Sequence, residues 1–301
     1  MSQNLLNVVA IFVCAAIAHL LPETTLLGAY AILGPAHYLT EISWLHDRRY
    51  FVGRPWLLIV AAYAALVIML VRPHTPPADG ALFALLGGLI AAGIGMPFIV
   101  TVLVAVTSAV VGVAGAILGW VFVAAIAILV PTLIHVFAFT TMFMLTGATR
   151  GRRMVDWLPV MALTFAAASF VLVPTMDLGR GAFMTIAVQG FSRLFAQLSV
   201  PGHSVELRVV GFLGFAYSYH YVNWFLKTGL LGWHRVSLGR LVLLVSTWVL
   251  VMFAYTENIL LGLLVSLPLS LGHVLLELPL NVLTARRLVT ASFSRSRLSV
   301  P

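Results

Sequence analysis

A chain of 301 residues, 61% of them hydrophobic and only 9% charged, with a mean hydropathy of +1.07, does not describe a soluble domain, in which about a quarter of the residues carry charge. Its apolar runs repeatedly reach the roughly 20 residues that cross a hydrocarbon core of about 30 Å. They are continuous rather than alternating, which excludes a β-barrel and leaves helices to satisfy the backbone in lipid. A disordered chain and a disulfide scaffold are excluded too, since the single cysteine, Cys14, has no partner within the chain. The net charge of +8 is a matter of membrane topology before it is one of nucleic acid.

In chain order, hydrophobic passes are expected at about 4–21, 25–45, 56–71, 81–97, 98–117, 119–146, 156–174, 209–232, 239–256 and 258–284. The expected fold is therefore all-α, a polytopic transmembrane bundle of about ten helices forming a single integral membrane domain over 1–301. No basic segment precedes the first apolar stretch and no small-residue cleavage site follows it, so the first helix is expected to be retained. The stretch 80–147 carries no charge and is resolved by parity. Arg48, Arg49 and Arg54 precede it by one pass, and Arg150, Arg152 and Arg153 follow it. Both groups belong in the cytoplasm by the positive-inside rule. The block must then hold an odd number of crossings, and three fit, with breaks near Gly95-Met96-Pro97 and Gly115–Gly119. This topology places both termini in the cytoplasm of a cell with an inner membrane. It puts roughly 13 of the 17 basic residues on that side, so insertion accounts for the basic excess and no nucleic-acid partner is expected.

Between Thr175 and Arg208 lies a long outer connection. Phe183, Ala187, Phe191, Leu194, Phe195 and Leu198 recur there at helical spacing, opposite Gln189, Ser192, Arg193 and Gln197. That pattern predicts an interfacial amphipathic helix near 181–199, packed along the surface or serving as a lid for a lipid-like substrate.

Ionisable groups within a bilayer are costly and usually face the bundle interior in functional roles. Of the nine acids, only Glu41 and Glu277 fall well inside passes, and each has a histidine four residues earlier, His37 and His273. Positions i and i+4 share a helix face, so each of these two helices should present a His and a Glu one turn apart. Asn281 continues the second face, and Pro35 and Pro268 are expected to open their helices locally. His220, with Asn223 and Lys227 on its face, and His135 lie in two further passes running in the same direction. Four imidazoles from four helices are thus expected at one level. They could ligate one metal ion, with Glu41 and Glu277 as catalytic groups that orient rings or complete the shell. Iron(II) is the expected metal; copper, zinc, a di-iron centre or haem are alternatives from the same residues. Tyr38, Tyr219, Tyr221 and Trp224 are candidates to line a substrate channel. His46 and His234 belong to basic turns, His19 to a helix end, and His74 and His203 to outer loops.

The stretch Gly34-Pro35-Ala36-His37, the histidines placed singly on several helices and the aromatic surround of His220 resemble the Brp/Blh family of bacterial membrane β-carotene dioxygenases. The resemblance implies a multi-pass protein holding a ferrous ion with four histidines and cleaving a carotenoid with O₂. The family motif continues Pro-His-Gly with an Asp-His soon after, where this chain has Tyr38 and Glu41, so the substrate does not carry over. The expectation is a histidine-ligated metal oxygenase, a dioxygenase acting on a hydrophobic lipid-like or carotenoid-like substrate. The alternatives are a proton-coupled transporter using the His/Glu pairs, or a haem- or quinone-binding membrane subunit.

Overall fold

A computed structural model describes residues 3–49, 54–70, 75–119, 133–151, 153–176, 178, 203–227 and 236–297. Among these every regular element is helical, with no strand. The helices are α1 (Gln3–Leu20), α2 (Pro22–Gly28), α3 (Gly34–Arg48), α4 (Pro55–Leu70), α5 (Pro76–Gly93), α6 (Phe98–Leu118), α7 (Thr140–Gly151), α8 (Leu158–Leu172), α9 (His203–Phe225), α10 (Leu238–Glu257) and α11 (Ile259–Arg297). A π-turn at Ala29–Leu33 joins α2 to α3, and another at Ile134–Phe139 leads into α7. Five helical segments are long and apolar enough to cross a membrane: Gln3–Leu20, Pro76–Gly93, Phe98–Leu118, Met154–Leu172 and Leu238–Glu257. The breaks anticipated in the uncharged block appear at Gly95 and Gly119, whose φ of 78° and 108° suits glycine. The expected amphipathic helix at 181–199 lies outside the described residues, as do the first half of the sixth pass, His74 and His234.

The helix ends pair in a way that fixes an up-and-down arrangement. At one end of the bundle Gln3 Nε2 donates to the Leu226 carbonyl, Asn4 Nδ2 donates to Asp156 Oδ1, and the Arg54 N–H donates to the Gly93 carbonyl. Arg240 Nη1 meets both oxygens of Asp47 at 2.6 Å at that same end. At the other end the N–H groups of Met176 and Leu178 donate to the carbonyls of His19 and Leu20, and Arg208 donates to the Val171 carbonyl.

Lipid tails are as apolar as leucine, so helix association here depends on close packing rather than on apolar burial as such. Small residues supply it. Gly211 of α9 faces the Ala18 carbonyl of α1, and Gly214 faces the backbone of Pro22 and Leu26, so closely that a side chain would have to push its neighbour back by a few tenths of an ångström. Gly87 and Gly112 do the same in the α5–α6 hairpin, against Ser108 and Asp79. The outward faces of α6 and α10 stay apolar and exposed, at Phe98, Leu103, Val110, Leu243 and Phe253 among others. In water such surfaces would aggregate; in a bilayer they are the solvated face. At the centre, α9 is buried along most of its described length, with Phe215, Tyr217, Tyr219 and Tyr221 each no more than 1% exposed.

The two π-turns bear on the site. Pro35 lies two residues after the end of the first, where its missing N–H breaks the i→i−4 ladder and the wider turn absorbs the defect. α11 is helical on both sides of Pro268, whose missing N–H removes one bond from the ladder there.

Candidate metal centre

The four intramembrane histidines converge. The ring centroids of His37 and His220 are 4.8 Å apart, those of His37 and His273 5.2 Å, those of His135 and His220 5.0 Å, and those of His135 and His273 5.1 Å. The donor atoms of His37, His135 and His220 lie within 4.8 Å of one another, and so do those of His37, Glu41 and His273. His37, His135 and His273 are at most 2% exposed. Each comes from a different pass: α3, the π-turn before α7, α9 and α11.

At His220 a hydrogen bond decides which nitrogen faces inward. His220 Nδ1 is 2.7 Å from the Thr140 hydroxyl; with N–H donating there, Nε2 presents its lone pair to the centre. That Nε2 lies 3.1 Å from His37 Nε2. His135 Nδ1 is 3.1 Å from Glu277 Oε2, but neither of its ring nitrogens is in hydrogen-bonding geometry with a partner. Both nitrogens of His273 are likewise without a hydrogen-bond partner, while the Tyr38 ring stacks on its imidazole at 4.3 Å. A buried, unpartnered imidazole nitrogen costs about 1–3 kcal/mol, so a protein keeps one where something accepts its lone pair.

A metal ion fits this set. Imidazole nitrogens bound about 2.0–2.1 Å from one ion at right angles stand about 3 Å apart, which matches the separation of the two Nε2 atoms of His37 and His220. The donors are neutral, which avoids bringing excess negative charge into lipid.

The carboxylates occupy one side of the cluster. Glu41 Oε2 is 2.9 Å from His37 Nε2, the i, i+4 contact expected. Glu277 departs from expectation: its imidazole partner is His135 of another helix rather than His273 one turn earlier on its own. Lys227 is the cation whose charge bears on both Glu41 and Glu277. Asn281 Nδ2 donates to Glu277 Oε2 at 3.4 Å, extending the face as anticipated.

Of the aromatic candidates, Tyr38 and Tyr221 flank the histidines and hydrogen-bond to each other at 2.6 Å. Trp224 presents its edge to His37 and donates Nε1–H to Thr40 Oγ1 at 3.1 Å. Tyr219 is elsewhere: it sits in the α1–α8–α9 core, beside Phe215, with its hydroxyl toward Met144 Sδ. Residues two apart on a helix face different neighbours, so Tyr219 and Tyr221 cannot both line one channel. Outside the centre, His19 Nε2 pairs with Ser169 Oγ at 2.8 Å and His46 lies exposed beside Asp47. Thr140 is the contributor that sequence spacing does not reveal. It follows His135 by five residues, a face-sharing interval only where the helix widens into a π-turn.

No known protein family, curated protein or solved structure matches the chain; what the site does is argued from its own geometry.

Proposed function

We propose that the chain is a metal-dependent membrane oxygenase in which His37, His135, His220 and His273 hold a ferrous ion and O₂ is used on a hydrophobic, lipid-like or carotenoid-like substrate. The observation that carries the reading is the convergence of four imidazoles from four passes, three of them fully buried, with both ring nitrogens of His135 and of His273 lacking a hydrogen-bond partner. Iron bound there would supply the electrons and open coordination positions that O₂ needs. The chain's own residues supply the rest. Thr140 holds the outer nitrogen of His220 and so fixes which nitrogen faces inward, and Glu277 stands 3.1 Å from His135 Nδ1. Glu41 Oε2 stands beside His37 Nε2, placed to complete the shell or to hold a proton next to it. The surrounding tyrosines and apolar helices exclude water. Four singly placed histidines also underlie the resemblance to the Brp/Blh dioxygenases, and they support the reaction class rather than the substrate. The 3.1 Å between two inward nitrogens leaves no space for a porphyrin plane, which counts against haem.

Metal analysis of detergent-purified protein tests the proposal. Stoichiometric iron that falls below about a tenth of an equivalent in His273→Ala supports it, since removing one ligand from a closed set typically forfeits tight binding. Protein that folds, remains active and carries no metal overturns it. Stoichiometric zinc or copper would keep the centre and change the chemistry. A second reading, a proton-coupled carrier, draws on the two buried carboxyls of Glu41 and Glu277 near Lys227; metal-independent, gradient-driven uptake that Glu41→Gln abolishes would favour it.

The pairing of helix ends supports the inferred topology in an inner membrane, with the end bearing Arg48, Arg54, Arg150 and Arg240 in the cytoplasm.

A further inference from the structure

The helices α3 and α10 are clasped at two points and part between them. At one end Asp47 holds Arg240, and eight residues further along α10 Trp248 Nε1 donates at 2.8 Å to the Ile32 carbonyl, within the π-turn that leads into α3. Between these ties lies a groove of about 250 Å³, walled by Ala36, Leu39 and Thr40 of α3, Leu244 and Trp248 of α10, and Phe225 at the end of α9. Its lining is apolar except for Thr40. Neighbouring α10 side chains, including Val242 and Val249, are exposed on the lipid-facing surface. The groove therefore opens sideways, toward the hydrocarbon region, and not to either aqueous face.

Thr40, in its inner wall, links the groove to the histidine cluster. Thr40 Oγ1 accepts from Trp224 Nε1 at 3.1 Å and donates to the His37 carbonyl at 3.0 Å, and the Trp224 edge stands 5.3 Å, centroid to centroid, from the His37 ring. Trp224 thus touches both the groove's Thr40 and the histidine cluster.

We infer that this groove is the lateral access site of the proposed enzyme, taking the unbranched or polyene end of a membrane-dissolved hydrocarbon, with Trp224 as the gate between it and His37. The inference rests on the oxygenase reading and adds the route and the gate. At about 250 Å³ the space is below the roughly 300–1,000 Å³ of pockets that enclose whole drug-sized ligands. It accepts a narrow chain, not a ring system or a headgroup. No charged group lines it, so a polar headgroup would stay outside at the membrane surface.

The full chain in phospholipid nanodiscs tests this with a C16 hydrocarbon carrying a mid-chain diazirine. After photolysis, adducts are mapped by mass spectrometry with and without excess n-hexadecane. The expected result is labelling of Leu39, Leu241 and Leu244 that hexadecane reduces at least fivefold, while labelling of the exposed α6 face at Leu103 and Val110 does not saturate. Leu244→Trp or, as a second filling variant, Val245→Phe should remove the saturable fraction without changing metal content. Trp224→Ala should extend the adducts inward to Tyr38. Labelling of the groove that neither saturates nor responds to the filling variants, as ordinary bilayer contact would give, overturns the inference. The metal content of the same samples separates the two ideas: metal present with no saturable site defeats the groove alone, and metal absent defeats the oxygenase reading whatever the labelling.

Discussion

At His220 a neutral hydroxyl decides which ring nitrogen faces the cluster. Thr140 Oγ1 lies 2.7 Å from Nδ1, and removing it leaves the imidazole free to turn and its N–H unpaired. Thr140→Val keeps the shape and removes the bond, so metal affinity should fall about 10- to 100-fold, while Thr140→Ser should restore most of it; competition against a chelator measures both. A merely structural threonine would tolerate valine, and the serine rescue distinguishes the cases. The four histidines themselves were visible in the sequence, because ionisable groups in lipid are rare enough to be conspicuous. Thr140 was not, since threonines in membrane helices usually bond to their own backbone, as Thr141 and Thr146 do here. The partner of Glu277 was also hidden: i, i+4 spacing offers His273, but only the packing of α11 against the Ile134–Phe139 turn brings His135 within reach.

Among the elements, α9 crosses the α1–α2 corner where Gly214 meets the Pro22 carbonyl and the Leu26 N–H. A β-branched side chain at that position must push the helices apart. Gly214→Val should cost about 1–3 kcal/mol by overpacking and, because α9 carries His220, should lower the melting temperature and the metal occupancy together. Gly239→Val, at a position with open space around it, is the control and should leave both nearly unchanged. The helical segments were readable from hydropathy, including the breaks at Gly95 and Gly119, since membrane thickness sets helix length independently of neighbours. The π-turn at Ile134–Phe139 was not, because where a helix widens depends on neighbours that no single segment records.

For the molecule as a whole, the paired ends predict a sidedness that the native cysteine helps to measure. Cys14 is buried, so it gives a low background, and cysteines introduced at Asn4 and at Glu257 should react with membrane-impermeant maleimide from opposite sides of sealed vesicles. Labelling of both from one side would refute the alternating arrangement. The Asp47–Arg240 clasp adds a pH dependence at the same end. The Arg240 guanidinium beside Asp47 holds its carboxyl below the ordinary value, so the contribution is present above the usual carboxylate range and is lost as pH falls through the lowered value. Asp47→Asn should thus reduce thermal stability slightly at neutral pH, with the difference from the native chain vanishing in acid; exposure and salt keep the effect small.

Composition and hydropathy alone determined that the chain is a helical membrane bundle, because lipid imposes one requirement on every segment: its own backbone must be satisfied and its side chains must be apolar. The same severity made His37, Glu41, His135, His220, His273 and Glu277 stand out. Their number and spacing could not say which nitrogen meets which oxygen, that Tyr219 turns away while Tyr221 turns in, or that α3 and α10 part to leave a groove beside His37. Those are relations between helices, set by where glycines permit close approach and where π-turns shift a face. Periodicity describes one helix at a time, and only the tertiary structure brings the faces together.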